Sequence, residues 1–237
     1  MNLSDVYEHH SLVIAADYRI PDPSRVGPLL HRRKDALAEL GAHHVLVYRS
    51  TREAGRVLVM IGVHSREPVV DLMRSRVFFD WFDAAGVEDI PAVFAGEIVE
   101  RFDMTDASES PLPPGVVVSA IVSVDDIGVL VAELHRAESR FRSAGIRKVW
   151  IFHAFDEPQE VLILQEIESE DSARRWIEHP DAAASWMDNA GVGVYPPLFV
   201  GEFDTMVRID SVGDIDSVGD IDSVGDIGSV GDIGTAN

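Results

Sequence analysis

Residues 81–97 read WFDAAGVEDIPAVFAGE, and residues 186–202 read WMDNAGVGVYPPLFVGE. Trp81, Ala85, Gly86, Val87, Pro91, Phe94, Gly96 and Glu97 recur 105 positions later as Trp186, Ala190, Gly191, Val192, Pro196, Phe199, Gly201 and Glu202. An aromatic helix end, a glycine stop, a proline-marked turn and a strand are thus present twice. These are read as fold-making positions, and the Gly-Glu pair is the one element among them open to a further role, since glycine inside a strand permits a bulge or a close backbone approach.

Upstream of this stretch, residues 11–20 (SLVIAADYRI) form a β-branched apolar run that ends at Pro21-Asp22-Pro23 and predicts a buried strand. Ser24 is the expected N-cap of a helix carrying Val26, Leu29, Leu30, Leu37 and Leu40, stopped by Gly41. Residues 43–50 and 56–64 predict two strands joined by a hairpin-length loop. A helical region from Ser65 to Ala85, offset near Arg76, precedes a fourth strand at 92–100. The order β-α-β-β-α-β is a ferredoxin-like unit.

Residues 103–114 (DMTDASESPLPP) have linker composition, and the unit then begins again at an offset of 104. GVVVSAIVSV (115–124) matches the first strand, Leu134-His135-Arg136 matches Leu30-His31-Arg32, and Gly145 matches Gly41. The expected division is an N-terminal extension (1–10), a first repeat (11–102), a linker (103–114), a second repeat (115–208) and a tail (209–237). One such unit leaves a sheet face bare, and two can cover each other. The expected fold is therefore α+β, two fused ferredoxin-like βαββαβ repeats packed sheet to sheet within one chain. The tail repeats the hexad I-D-S-V-G-D, too few times for a β-helix, and its composition predicts a disordered acidic segment.

The chain carries a net charge of −21. Acidity of this size repels phosphate backbones and anionic lipid, so neither nucleic acid nor a membrane surface is an expected partner. No cysteine is present, which excludes disulfides, thiol catalysis and Cys-based zinc sites. The first ten residues lack a basic and then apolar leader, and the expected compartment is the cytoplasm. Phosphate-cradling and G-x-S-x-G motifs are absent. His9-His10 and His43-His44 are adjacent pairs, and neighbours on a strand point to opposite faces, so no metal site is expected.

The stretch LILQEIESEDSARRWIEHPDAAASWM (162–187), echoed more loosely by 58–82, resembles the dimeric α/β-barrel superfamily. That group includes antibiotic-biosynthesis-type monooxygenases, EthD-like proteins and muconolactone-isomerase-like proteins. The resemblance spans both repeats and implies an intramolecular dimeric α/β barrel, either as a monomeric pseudo-dimer or as a homodimer. It also implies a pocket for a small apolar or aromatic molecule. Haem-degrading relatives carry a ligand histidine on the second helix, where this chain has Leu72 and Trp176, so no cofactor is expected and the haem route lacks its ligand.

Polar groups within apolar strands are the leads for chemistry, since burying them unsatisfied costs ~1–3 kcal/mol. Asp17 and Tyr18 lie in the first strand, Arg49 and His153 at equivalent places in the second strands, and His64, Gln165 and Glu166 in the third strands. Trp150 and Trp176 are the aromatic candidates for a pocket wall. Three functions remain open: a cofactor-independent monooxygenase or isomerase, a non-catalytic ligand-binding or stress-related protein, and a structural or interaction protein. Divergence between the halves is where a site is expected.

Overall fold

A computed structural model of the protein describes residues 12–73, 76–104, 115–178, 189, 191–192 and 197–209. The N-terminal extension, the linker beyond Met104, Trp186 with its helical segment, and the tail beyond Ile209 lie outside the described residues.

The first half runs β1 (Leu12–Arg19), α1 (Val26–Arg32), α2 (Lys34–Glu39), β2 (Ala42–Ser50), β3 (Arg56–Val63), α3 (Glu67–Met73), α4 (Arg76–Ala85) and β4 (Ala92–Asp103). The second runs β5 (Val116–Ser123), α5 (Ile127–Arg136), α6 (Glu138–Ser143), β6 (Ile146–Ala154), β7 (Glu160–Ile167), α7 (Glu170–Glu178) and β8 (Phe199–Arg208). The single helix expected over 26–40 is broken at Arg33 (φ −105°, ψ 13°), and its counterpart breaks at Ala137, 104 positions on. Gly41 and Gly145 end these segments at φ 80° and 85°, a left-handed conformation that other residues adopt only under strain. The capping role expected of Ser24 falls to Asp22, whose carboxylate accepts from the Ser24 backbone N–H at 3.0 Å.

All eight strands are antiparallel and close into a barrel in the order β1-β3-β2-β8-β5-β7-β6-β4. The 104-residue offset carries into the pairing: Asp17 faces Leu58 across β1 and β3, and Ile121 faces Leu162 across β5 and β7. Each half thus contributes a four-stranded sheet, and the two sheets face each other as the repeat implies. They are also hydrogen-bonded edge to edge along two seams, β2 with β8 and β4 with β6. The two seams leave no open sheet edge.

The duplicated Gly-Glu sits on these seams. A Cβ on Gly96 would lie 2.1 Å from the His153 carbonyl oxygen and 2.7 Å from the Phe94 ring. On Gly201 it would lie 2.5 Å from the Arg49 carbonyl oxygen and 2.6 Å from the Phe199 ring. Only glycine lets the partner strand approach while a phenylalanine two residues back folds over it. The repeat is conspicuous in sequence because the same close approach is made twice.

Three apolar layers result. The barrel interior holds side chains from all eight strands, among them Tyr48, Phe94, Trp150, Phe152 and Phe199. Outside the first sheet, Ile14, Val45, Val59 and Val69 pack under Val26 and Leu30. Outside the second, Ile151, Val161 and Ile163 pack under Leu130, Leu134 and Phe141. Each such side chain contributes about 1.5–3 kcal/mol by leaving water. Among the described residues, no helix is long and apolar enough to cross a membrane.

Candidate functional site

Strand alternation divides the expected site residues between layers. Asp17 faces into the barrel, whereas its neighbour Tyr18 faces out and is buried edge-on against Phe82 at a ring separation of 5.5 Å. Burial holds the Tyr18 hydroxyl well above its ordinary pKa, with Trp81 opposing the rise. Gln165 is buried on the outer face of β7. Trp176 fills the outer core of the second half, edge-on to Phe141 at 5.4 Å. Tyr18, Gln165 and Trp176 therefore belong to the layer between sheet and helices. Arg49 pairs with Asp204 at 2.7 Å on the outside of a seam, and His153 bonds the Pro158 carbonyl at 3.1 Å. Trp150 lies inside the barrel, lining a space of about 50 Å³ with Leu46, Met60 and Gly62. Glu166 stands opposite Lys148 and Val117 in the register near that same end.

His64 is exposed and its ring lies 4.6 Å from that of His43. The expectation that His43 and His44 diverge fails here, because a register shift between Ala42 and His44 places both rings on one side. Their Nδ1 atoms are 2.6 Å apart. Burial, with His64 adding to it, lowers the His43 pKa to about 4. Among the described residues, no group of three such side chains has the arrangement to hold a metal ion.

The opposite end of the barrel holds a larger space. A cavity of about 310 Å³ lies where β1 and β5 end and β3 and β7 begin. Its walls come in pairs related by the repeat: Ala15 with Ser119, Asp17 with Ile121, Leu58 with Leu162, and Ala92 with Pro197. The cavity therefore lies on the pseudo-two-fold axis, one per chain. Its cause is local, since Ala15 and Ser119 are too short to fill the space that Phe94 and Phe199 fill opposite them in the register.

The polar groups at this mouth are not symmetric. Arg56 grips Asp17 with two hydrogen bonds, Nε to Oδ1 at 2.9 Å and Nη2 to Oδ2 at 2.6 Å. It also donates to Glu53 and, at 3.1 Å, to the Leu198 carbonyl of the second half. The equivalent of Arg56 is Glu160, which lines the cavity and has no side-chain hydrogen bond or ion pair among the described residues. Burial raises the Glu160 pKa, and the nearby Glu157 and Asp156 carboxylates raise it further. Ser119 is 4% exposed and faces the same space, its hydroxyl without a partner among the described residues.

Arg56, Ser119 and Glu160 were not singled out from sequence. Arg56 and Glu160 open their strands and read as solvated ends, and Ser119 is a small residue in an apolar run. Comparing the halves at inward-facing positions would have found them, since Ala15/Ser119, Asp17/Ile121 and Arg56/Glu160 all change polarity there.

Leu72 and Trp176, expected at the place of the haem-degrading relatives' ligand histidine, both pack against apolar cores.

No family model matches the chain, and no curated protein matches it. Solved structures do match over nearly the whole chain. An anthrone oxidase-like protein superposes with a TM-score of 0.64 at 12% identity, covering 86% of this chain and 96% of its own. A proposed monooxygenase from Fusobacterium nucleatum gives 0.51 at 7% identity, covering 84% and 94%. A proposed chlorite dismutase gives 0.50 at 15% identity, covering 83% and 96%. The protein has the dimeric α/β-barrel fold, with both halves of the barrel carried by one polypeptide.

Proposed function

We propose that the barrel mouth binds one small, largely apolar or aromatic molecule per chain, and that the protein transforms it in the manner of a cofactor-independent monooxygenase or isomerase. The observation that carries this reading is the 310 Å³ cavity, apolar on most of its wall, with Ser119 and Glu160 as unengaged polar groups. A concave apolar space with a few convergent polar atoms is what small-molecule sites look like. Proton removal from carbon is the step both reaction classes share. A carboxylate whose proton affinity is raised by burial is suited to that removal, because base strength follows pKa. Asp17 is fixed by two hydrogen bonds from Arg56, so it shapes and polarises the site. The descriptions of the anthrone oxidase-like and monooxygenase neighbours support the same direction.

The test is a calorimetric screen of small aromatic compounds against the protein and a Ser119→Phe variant that fills the cavity. Dioxygen uptake and product are recorded for every binder. Binding to the wild type, loss of binding in Ser119→Phe and a rate reduced at least tenfold in Glu160→Gln are the expected results. Equal binding to the filled variant would overturn the assignment of the site. Binding at the cavity without turnover would favour the second reading, a ligand-binding protein. That reading is supported by the Asp17–Arg56 pair, which occupies one candidate base with a structural task.

A further inference from the structure

The charge at the mouth is as informative as its shape. Asp17, Glu53 and Asp89 on the first half are offset by Arg56 and Arg19, through contacts at 2.6 Å from Asp17 to Arg56, 2.6 Å from Glu53 to Arg19 and 3.6 Å from Asp89 to Arg19. Across the axis, the charged neighbours of Glu160 among the described residues are the Glu157 and Asp156 carboxylates. The asymmetry follows from the repeat, because the position that supplies the arginine in one half supplies the glutamate in the other.

We propose that the cavity selects small apolar molecules bearing a positively charged amine, the ammonium pairing with the Glu160 carboxylate at the rim while the apolar body lies against Leu58, Ile121, Leu162 and Pro197. This rests on the reading of the cavity as a small-molecule site. An ionised carboxylate taken partly out of water, with two like charges beside it, is under-stabilised, and a cation there regains what burial took away. A mouth walled by apolar side chains focuses the negative potential and raises the local concentration of cations. Anionic analogues meet the opposite field and are rejected.

Ser119 points to a ligand independently of the charge. Its side chain is buried and lines the cavity, and its hydroxyl has no protein partner among the described residues, so it is free to bond a molecule in that space. Glu160 stands opposite Ser123 in the register, four residues along β5 from Ser119. At about 3.3 Å per residue the two polar levels are about 13 Å apart.

The test uses the full chain and three probes of similar size: 2-phenylethylamine, 2-phenylethanol and phenylacetate. Each is titrated calorimetrically at pH 7.5 into the wild type, Glu160→Gln, Glu157→Gln and Ser119→Phe. The amine is expected to bind at least tenfold more tightly than the alcohol, with no binding of phenylacetate. Glu160→Gln removes the amine's advantage and leaves the affinity for the alcohol, whereas Glu157→Gln reduces the advantage only in part. Thermal melts check that each variant folds. Equal affinities for amine and alcohol, or an advantage that survives Glu160→Gln, would overturn the proposal while leaving the cavity as a site. Alcohol binding that survives Ser119→Phe, or no binding of any probe, would overturn both.

Discussion

Arg56 and Asp17 form a two-pronged ion pair at the barrel mouth, with side chains 13% and 16% exposed, and Arg56 extends from it to the Leu198 carbonyl of the other half. One side chain thus closes the rim, fixes a carboxylate at the cavity wall and links the two repeats. The repeat-related pair, Glu160 and Ile121, does none of these things.

Removing one member of that pair leaves the other charge half-buried and unmatched. Arg56→Met is expected to destabilise the protein by about 2–3 kcal/mol, less than a fully buried pair because water still reaches the rim. Asp17→Asn should cost less, since Arg56 keeps Glu53 and Leu198 as acceptors. Urea denaturation of the two variants gives the comparison, and an equal or reversed order would contradict it.

The seams make a second comparison. Gly96→Ala and Gly201→Ala both force a Cβ against a backbone carbonyl, at 2.1 and 2.5 Å. Each is expected to lose about 2–3 kcal/mol, with Gly96 the worse of the two. Thermal unfolding followed by circular dichroism measures this. A neutral Gly96→Ala would mean the strands can part without loss.

Phe94 and Phe199 are 1% exposed, occupy equivalent places and belong to the apolar interior of the barrel. Phe94→Ala and Phe199→Ala should each cost about 3–5 kcal/mol. Ala15 and Ser119, opposite them in the register, line the mouth cavity, so a ligand that binds there should bind differently in both variants. Chemical denaturation together with titration of such a ligand checks the two consequences separately.

His43 supplies a pH dependence. Its folded pKa is about 4 against an ordinary 6.5, so between these values the unfolded chain binds the extra proton and the folded one does not. This contribution to stability is therefore present above pH 6.5 and is lost as pH falls toward 4. In His43→Gln the loss over that window should shrink by about 1 kcal/mol, allowing for solvent at a half-buried ring. Denaturation midpoints of wild type and variant at pH 7.5, 6 and 4.5 give the difference.

The tandem architecture was legible because each fold-making position is used twice. Gly41 and Gly145 recur at an offset of 104, and Gly96 and Gly201 and Phe94 and Phe199 at 105, and chance does not preserve order and spacing over a whole repeat. Strand alternation then assigned each residue a face relative to its neighbours. It did not reveal which face would look into the barrel, so Asp17 and Tyr18 stood as equal candidates although only one reaches the cavity. Nor did it foresee the bulge that turns His43 toward His44.

Two ferredoxin-like halves, their pairing and the places where backbone must approach backbone were readable along the chain, because those demands act on glycine, proline and apolar periodicity locally. The place of the candidate site between the halves follows from closure of the barrel. Closing the barrel along two seams brings Ala15 and Ser119, 104 residues apart, to one shared space lined by Glu160, while Arg56, the counterpart of Glu160 in the other repeat, holds Asp17. A cavity on a pseudo-symmetry axis belongs to neither repeat, and its chemistry comes from the positions where the two repeats differ.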